Sequence, residues 1–500
     1  MSVDWGDLPA TGTVLSRAGR RQRRCSTDEA GESRGREGRQ GGECVTLSDP
    51  KTTRAQVSAK AMPTGETTLD EWVERDVWTE RMLETLRRGG PEGGKWYSLQ
   101  DKVFAEKTLR AAYRRVARNH GAPGVDGMTV KAFGNRLDEE IARLRKAWLV
   151  GTYHPQAIRR VWIPKPGTDE KRPLGIPTVR DRVVQAALVS VLEPIFETTF
   201  SEHSHGFRPG RGARGALTAV LNHLQSGKIR VVDADLKGYF DSIPHERLLA
   251  AVGRKVTDGR VLELIVMFLK AGVLEGMELA EPEAGTPQGG VISPLLANIY
   301  LNDLDHQMAG SGIAMERYAD DFVILCRSQE EAESALTRVK AWTEQVGLIL
   351  HPTKTRIVDM GELDAHIDFL GYRLQRHKNR KGQERIIRLV RPKSLDRMRE
   401  KIRSLTPRNS GDSLPDQIGR LNQTLRGWFE YYRSVTQSTH AALDKLIRRR
   451  LRAMLCKRVG RDMPTWGRGW HQKQWPKSFF AELGLFSLES AHAQFIQSHR

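Results

Sequence analysis

The sequence predicts an α+β fold followed by an all-helical C-terminal domain. Strand-like and helix-like stretches alternate between about residues 100 and 375, the pattern changes to helices alone from about 393 to 460, and the first 65 residues carry no sustained hydrophobic period. Five hundred residues exceed what one core usually encloses, so two or three domains are expected.

Residues 1–65 are rich in Gly, Arg, Ser, Thr and Glu and cannot bury enough apolar surface to offset ordering; a disordered leader is expected there. "VVQAALVSVLEPIF" (183–196) is apolar but short and interrupted, and reads as a core helix. "KIRVVDADL" (228–236) reads as a buried strand ending on acids. "SPLLANIYLNDLDHQM" (293–308) reads as a helix, with Ser293 as N-cap, Pro294 at the first helical position, and Leu296, Ile299, Tyr300, Leu304 and Met308 at helical spacing. "AMERY" and "FVILC" flank Ala319-Asp320-Asp321 and predict strand, tight turn, strand.

Beyond residue 393 three apolar stripes follow at helical spacing: Leu395–Met398–Ile402–Leu405, then Ile418–Leu421–Leu425–Trp428–Tyr432–Val435, then Leu443–Ile447–Leu451–Met454 with Leu446 and Leu455. Residues 393–460 hold 16 Lys and Arg against 6 Asp and Glu, about half of the chain's net charge of +19. So basic a chain suits a polyanionic partner, nucleic acid being the commonest. A solvated helical face is the alternative, but "LIRRRLRAMLCKR" concentrates the charge, and Arg448, Arg449 and Arg450 are the expected RNA contacts. The four cysteines (Cys25, Cys44, Cys326, Cys456) form no CxxC pair, which argues against a zinc knuckle or disulfide framework and suits a reducing cytoplasm. No stretch reaches the length of a membrane span and no N-terminal segment resembles a signal peptide, so no membrane partner is expected.

Asp320 and Asp321 are adjacent acids between a tyrosine and an apolar run. Two carboxylates at a hairpin tip, with Asp235 ending a nearby strand, have a well-understood use: they hold two Mg²⁺ ions, whose charge offsets the crowding. Two such ions can activate a 3′-hydroxyl and stabilise a leaving pyrophosphate. A YxDD tetrapeptide alone is weak evidence; its ordered company strengthens it. "IPKPGTDEKRPLGIPT" (163–178), "SEHSHGFRPGRGARGA" (201–216), "VVDADLKGYFDSIPH", "AGTPQGGVISPLLANIYL", "RYADDFVILC", "GLILHPTKTRIV" and "DFLGYRL" follow one another. This series resembles the blocks of a reverse transcriptase, in detail those encoded by bacterial group II introns. "NHGAPGVDGMTV" (119–130) resembles that family's extra N-terminal block, and "TLRGWFEYYRSV" (424–435) the core of its thumb, the maturase or X domain.

The resemblance implies a right-hand polymerase: fingers and palm at 66–392 with an antiparallel palm sheet, a helical thumb/maturase domain at 393–460, and a short appendage at 461–500. Asp235 and Asp320 match the metal-bridging aspartates, Asp321 the third acid, and the Leu236 carbonyl a further metal ligand. Lys165 and Arg172 match the pair that clamps the incoming triphosphate, as a point charge and a fork suit phosphate oxygens. Phe240 matches the bulky residue that excludes a 2′-hydroxyl, and period-2 alternation is expected to turn Tyr239 the other way, into the core. Gln288 matches a glutamine of the nucleotide pocket, and Lys354 the family's lysine near the active site. "FRPGR" (207–211) positions template or fingers, or is a structural loop. Trp428 and Tyr432 share the core stripe, which leaves Tyr431 and Arg433 as the ligand contacts of "GWFEYYR".

The tail lacks the cysteines of the HNH nuclease that many family members carry, so no endonuclease is expected; it either touches nucleic acid or caps the thumb. The implied partners are group II intron RNA, an RNA template with a DNA primer, and dNTPs, with a homodimer as one option. The implied role is to bind the intron RNA, assist its splicing and copy it into DNA during retromobility. A splicing-only maturase, or a domesticated relative in DNA repair or phage defence, stands as the alternative.

Overall fold

The computed structural model describes residues 72–164, 171–276, 278–379, 381–460 and 469–498. The expected leader at 1–65 and Lys165 lie outside the described residues. Helices α1 (Glu106–Arg118) and α2 (Leu137–Val150) precede strands β1 (Ile158–Pro164) and β2 (Lys171–Ile176). Next come α3 (Val179–Glu197), α4 (Ala213–Gln225), β3 (Arg230–Asp235), the short α5 (Tyr239–Ser242), β4 (Val273–Glu275) and β5 (Glu278–Ala280). They are followed by α6 (Ser293–Gly310), β6 (Ala314–Tyr318), β7 (Asp321–Cys326), α7 (Gln329–Val346) and β8 (Arg356–Asp359). The fold is α+β, and no helix among the described residues is long and apolar enough to cross a membrane.

One sheet, in the order β2-β1-β4-β5, carries the "IPKPGTDEKRPLGIPT" hairpin. After β2, α3 is buried along most of its length, as expected of a helix that is apolar on nearly every face. A second sheet, in the order β6-β7-β3-β8, is antiparallel throughout. Both of its faces are covered, which is why "FVILC" reads as an unbroken apolar run rather than an alternating one. Val232, Phe322 and Ile324 join the large core that includes α6 and α7, whereas Val231, Val323 and Leu325 join a second core with α4.

Two local expectations need correction. Ser293 does not cap α6 but is its first residue; its hydroxyl donates to the Pro287 carbonyl (2.8 Å), so it ties down the preceding loop instead. Tyr239 and Phe240 do not alternate along a strand: Gly238 takes φ 59°, the strand ends, and the two aromatics sit on one helical turn.

After a three-stranded sheet of β9 (His366–Phe369), β10 (Tyr372–Lys378) and β11 (Glu384–Val390), the chain is helical. The apolar stripes of α8 (Pro392–Leu405), α9 (Leu414–Tyr432) and α10 (Gln437–Arg458) meet in one core through Ile402, Leu421, Leu425, Ile447 and Leu451. The tail joins that core through Phe480 and Leu488. Asp444 of α10 fixes α11 (Leu488–Gln497) by accepting from the Leu488 amide (3.1 Å) and the Ser487 hydroxyl (2.7 Å). Of the two readings of the tail, packing as a cap on the helices is what its contacts favour.

Candidate active site

The antiparallel register of β3 and β7 places Asp235 directly opposite Asp321, so both side chains leave the same face of the sheet. Asp320 stands in the turn between β6 and β7, after Ala319, whose φ of 59° puts a non-glycine residue in the left-handed region. That conformation is held from below. Arg317, fully buried, donates to the Ala319 carbonyl (2.8 Å), the Asn298 side chain (3.0 Å) and the Ser204 hydroxyl (2.8 Å), and pairs through both arms of its fork with Asp305. Asn298 and Asp305 stand on α6, and Asn298 also donates to the Gly206 carbonyl (2.8 Å). Residues 203–205 pair with β6: the Arg317 amide donates to the His203 carbonyl and the His205 amide to the Arg317 carbonyl. Gly206 then lies so close to the turn that a Cβ there would come within 2.4 Å of the Ala319 nitrogen.

Crowding shows in the acids themselves. Burial, with Asp233, Asp320 and Asp235 adding to it, pushes the Asp321 carboxyl up to about 8. Burial, with Asp235 beside it, likewise raises Asp320. Lys354 reaches Asp235 with its ammonium 2.5 Å from Oδ2. The three aspartates do not close into a compact metal-ligand cluster; among the described residues that geometry belongs to His203, His223 and Glu316. As a donor set, however, three carboxylates fit a hard divalent cation, and two of them are held above the usual range by burial, with the neighbouring acids adding to it. Leu236 is buried and bridges to Leu350 through the Lys237 amide and the Asp235 carbonyl.

Of the residues matched to nucleotide binding, Phe240 follows this end of β3 along the chain, and Gln288 is tied to the same turn through Asp241. Tyr239 is buried, its hydroxyl donating to the Ala297 carbonyl (2.6 Å), whereas Phe240 is half-buried. Gln288 donates to Asp241 (3.0 Å), and its carbonyl accepts from the Gly175 amide of β2 (2.6 Å). Gly289, at φ 110°, lies where a Cβ would come within 2.2 Å of the Gly175 carbonyl, so only glycine fits between strand and loop. Arg172 lies half-buried on β2 opposite Ile163.

The expected RNA contacts divide. Arg449 is exposed, but Arg450 donates to the carbonyl (2.5 Å) and hydroxyl (3.1 Å) of Thr406 at the end of α8, and Arg448 lies near Asp444 (3.8 Å). Tyr432 is buried and Trp428 partly so. Tyr431 is exposed yet donates to the Leu370 carbonyl (2.8 Å), and Arg433 lies over the Phe495 ring (4.8 Å). Arg208 is also structural: it is buried, paired with Glu197 (2.7 Å), and bonded to the Ser204 carbonyl (2.7 Å), which favours the loop reading of "FRPGR". The clamp of Arg317, Asp305, Asn298 and Ser204 went unread in the sequence; the only signal was an arginine beside the YADD turn.

Strand-end and turn carboxylates over an antiparallel palm, with a glycine-rich loop joining palm to a two-stranded hairpin, define a template-directed polymerase. Residues 163–374 match the family described as "Reverse transcriptase (RNA-dependent DNA polymerase)", and residues 395–476 match "Group II intron, maturase-specific domain". The chain is 36% identical to Protein YkfC of Escherichia coli, over 56% of this chain and 84% of that one. It is 41% identical to the group II intron-encoded protein LtrA of Lactococcus lactis, over 39% of this chain but only 32% of that longer one. A chain of a solved partial Cas6-RT-Cas1–Cas2 complex aligns with a TM-score of 0.32 at 22% identity, over 49% of this chain and 42% of that chain. The chain belongs to the group II intron reverse transcriptase/maturase family, whose reverse transcriptases generally use divalent metal ions.

Proposed function

We propose that the chain binds group II intron RNA, assists its splicing, and copies that RNA into DNA from a DNA primer and dNTPs. The observation that carries this reading is the register: Asp235 opposite Asp321, with Asp320 held in the turn beside them. In this reading Asp235, Asp320, Asp321 and the Leu236 carbonyl would hold two Mg²⁺ ions, which would supply Lewis-acid chemistry for nucleotidyl transfer there. Lys354 releases Asp235 to the metal and lies within reach of the nucleotide. Lys165 and Arg172 hold the triphosphate, and Gln288 and Phe240 line the sugar pocket. Arg449 is the best placed of the three thumb arginines to meet phosphate, because its neighbours are engaged within the protein.

The test pairs two assays on one preparation: primer extension on an RNA template with Mg²⁺, and splicing of the intron transcript at low Mg²⁺. DNA synthesis together with faster splicing is expected. Splicing without extension would establish the splicing-only alternative, and extension without any effect on splicing would point to the domesticated one.

A further inference from the structure

A second cluster of ligand-type side chains lies on β6 itself, away from the aspartates. Glu316 is buried at 1% exposure, an unusual place for a carboxylate, and what lies against it is three imidazoles rather than a Lys or Arg. It faces α4 and the 203–205 segment, whereas the next residue, Arg317, faces α6. One of its oxygens, Oε1, lies 2.9 Å from Nδ1 of His203 and 3.2 Å from Nε2 of His223. The other, Oε2, lies 2.7 Å from Nε2 of His205.

We propose that His203, His223 and Glu316 form a site for a transition-metal ion of the zinc class. The three donor atoms all lie within 4.8 Å of one another, and the two edges that meet at Oε1 are 2.9 and 3.2 Å. A tetrahedral ion with ligand bonds of about 2.0–2.2 Å needs donors roughly 3.3 Å apart, so these two edges are already near that size. Two imidazoles and one carboxylate select zinc-class ions over Mg²⁺, which prefers oxygen alone. His205 supplies the outer support such sites use, holding the carboxylate oxygen that does not face the ion. Three protein ligands leave one position for water, and His203, about one-third exposed, marks the side open to solvent. The ligands come from three elements: the 203–205 segment, α4 and β6. A bound ion therefore staples together the backbone that presents Ser204 and Gly206 to the Ala319 turn.

The test uses the full chain stripped with a chelator and titrated with Co²⁺, whose visible absorption reports nitrogen-rich tetrahedral binding, and then with Zn²⁺ in competition. One equivalent of Co²⁺ is expected to bind with visible bands in the unaltered chain, and equally in Asp320→Asn, which separates this site from the aspartates. His223→Gln and His203→Gln should each abolish the bands; His203 is the more exposed, which keeps the test sound if the other variant misfolds. His205→Ala should weaken binding about 10- to 100-fold. Zn²⁺ should raise the melting temperature of the unaltered chain and not of His203→Gln. Absence of bands in the unaltered chain, or unchanged bands in both histidine variants, overturns the proposal.

Discussion

Arg317 donates to the carbonyl of Ala319 at 2.8 Å, so a fully buried guanidinium fixes the left-handed residue that precedes the paired aspartates. The guanidinium is itself charge-balanced by Asp305. All five of its N–H donors are used, on Asp305, Asn298, Ala319 and Ser204, which the three donors of a lysine ammonium cannot match. Arg317→Lys should therefore lose stability by leaving acceptors of the clamp unserved, and Asp305→Asn should lose about 3–5 kcal/mol, because it leaves the buried guanidinium without its counter-charge. Urea denaturation measures the loss, and primer extension by the folded fraction should fall with it. Wild-type stability in both variants would remove the clamp from the account.

Asp235→Asn and Asp320→Asn should each abolish DNA synthesis while leaving RNA affinity nearly unchanged, since the acids are read as holding metal rather than nucleic acid. Primer extension and filter binding on the same preparations check this. Substantial extension by either variant would falsify the metal assignment.

If Phe240 is the sugar gate, Phe240→Ala should raise incorporation of ribonucleotides relative to deoxyribonucleotides, because a half-buried ring there would act sterically. Tyr239→Ala should instead cost stability, about 3–5 kcal/mol, as expected for emptying a buried aromatic site, while leaving sugar selection alone. Single-nucleotide kinetics and denaturation separate the two. The reverse outcome would assign the gate to Tyr239.

Arg449→Gln should lower RNA affinity and reduce the log–log salt slope by about 0.7–0.9, the loss of one phosphate contact. Arg450→Gln should lower the melting temperature, because it frees the Thr406 carbonyl at the end of α8. A salt slope that falls equally in both variants would return Arg450 to the RNA surface.

His440 lies fully buried between α9 and the tail, beside Trp428, Phe429 and His492. Burial, and then His492, lowers its pKa from 6.5 to about 4. The folded protein therefore binds this proton less readily than the unfolded chain, and the sign follows. The helical domain keeps its full stability above about 6.5 and loses it progressively as pH falls towards 4. His440→Leu should flatten that window. Melting temperatures at pH 7 and pH 4.5, compared between the two chains, decide it.

The aspartates were legible because a short motif sat among ordered blocks, and the helical stripes because periodicity survives in any surroundings. The clamp was not. Asn298 and Asp305 lie 19 and 12 residues before Arg317, on a helix whose polar positions look like a solvent face. Glu316 reads as the polar member of "AMERY", yet it is buried, because α4 covers that side of the sheet. Tyr239 lies in the core as expected but not through strand alternation: Gly238 turns the chain before any alternation can act. Arg450 looked like its neighbours until the end of α8 was seen to need a donor.

The pairing of residues 203–205 with β6 bears on the order in which the enzyme is made. A β-hairpin alone closes in about 1–10 μs. The β6–β7 hairpin, however, depends for its turn on Ser204, which lies 113 residues before Arg317. Closing so long a loop carries an entropic cost that local contacts cannot offset, so the turn is among the later features to settle. A nascent chain that has not yet emitted residue 326 lacks the complete β7 strand that pairs Asp321 with Asp235. A growing chain therefore holds every residue of its palm turn before it makes Arg449, the side chain proposed to meet RNA phosphate.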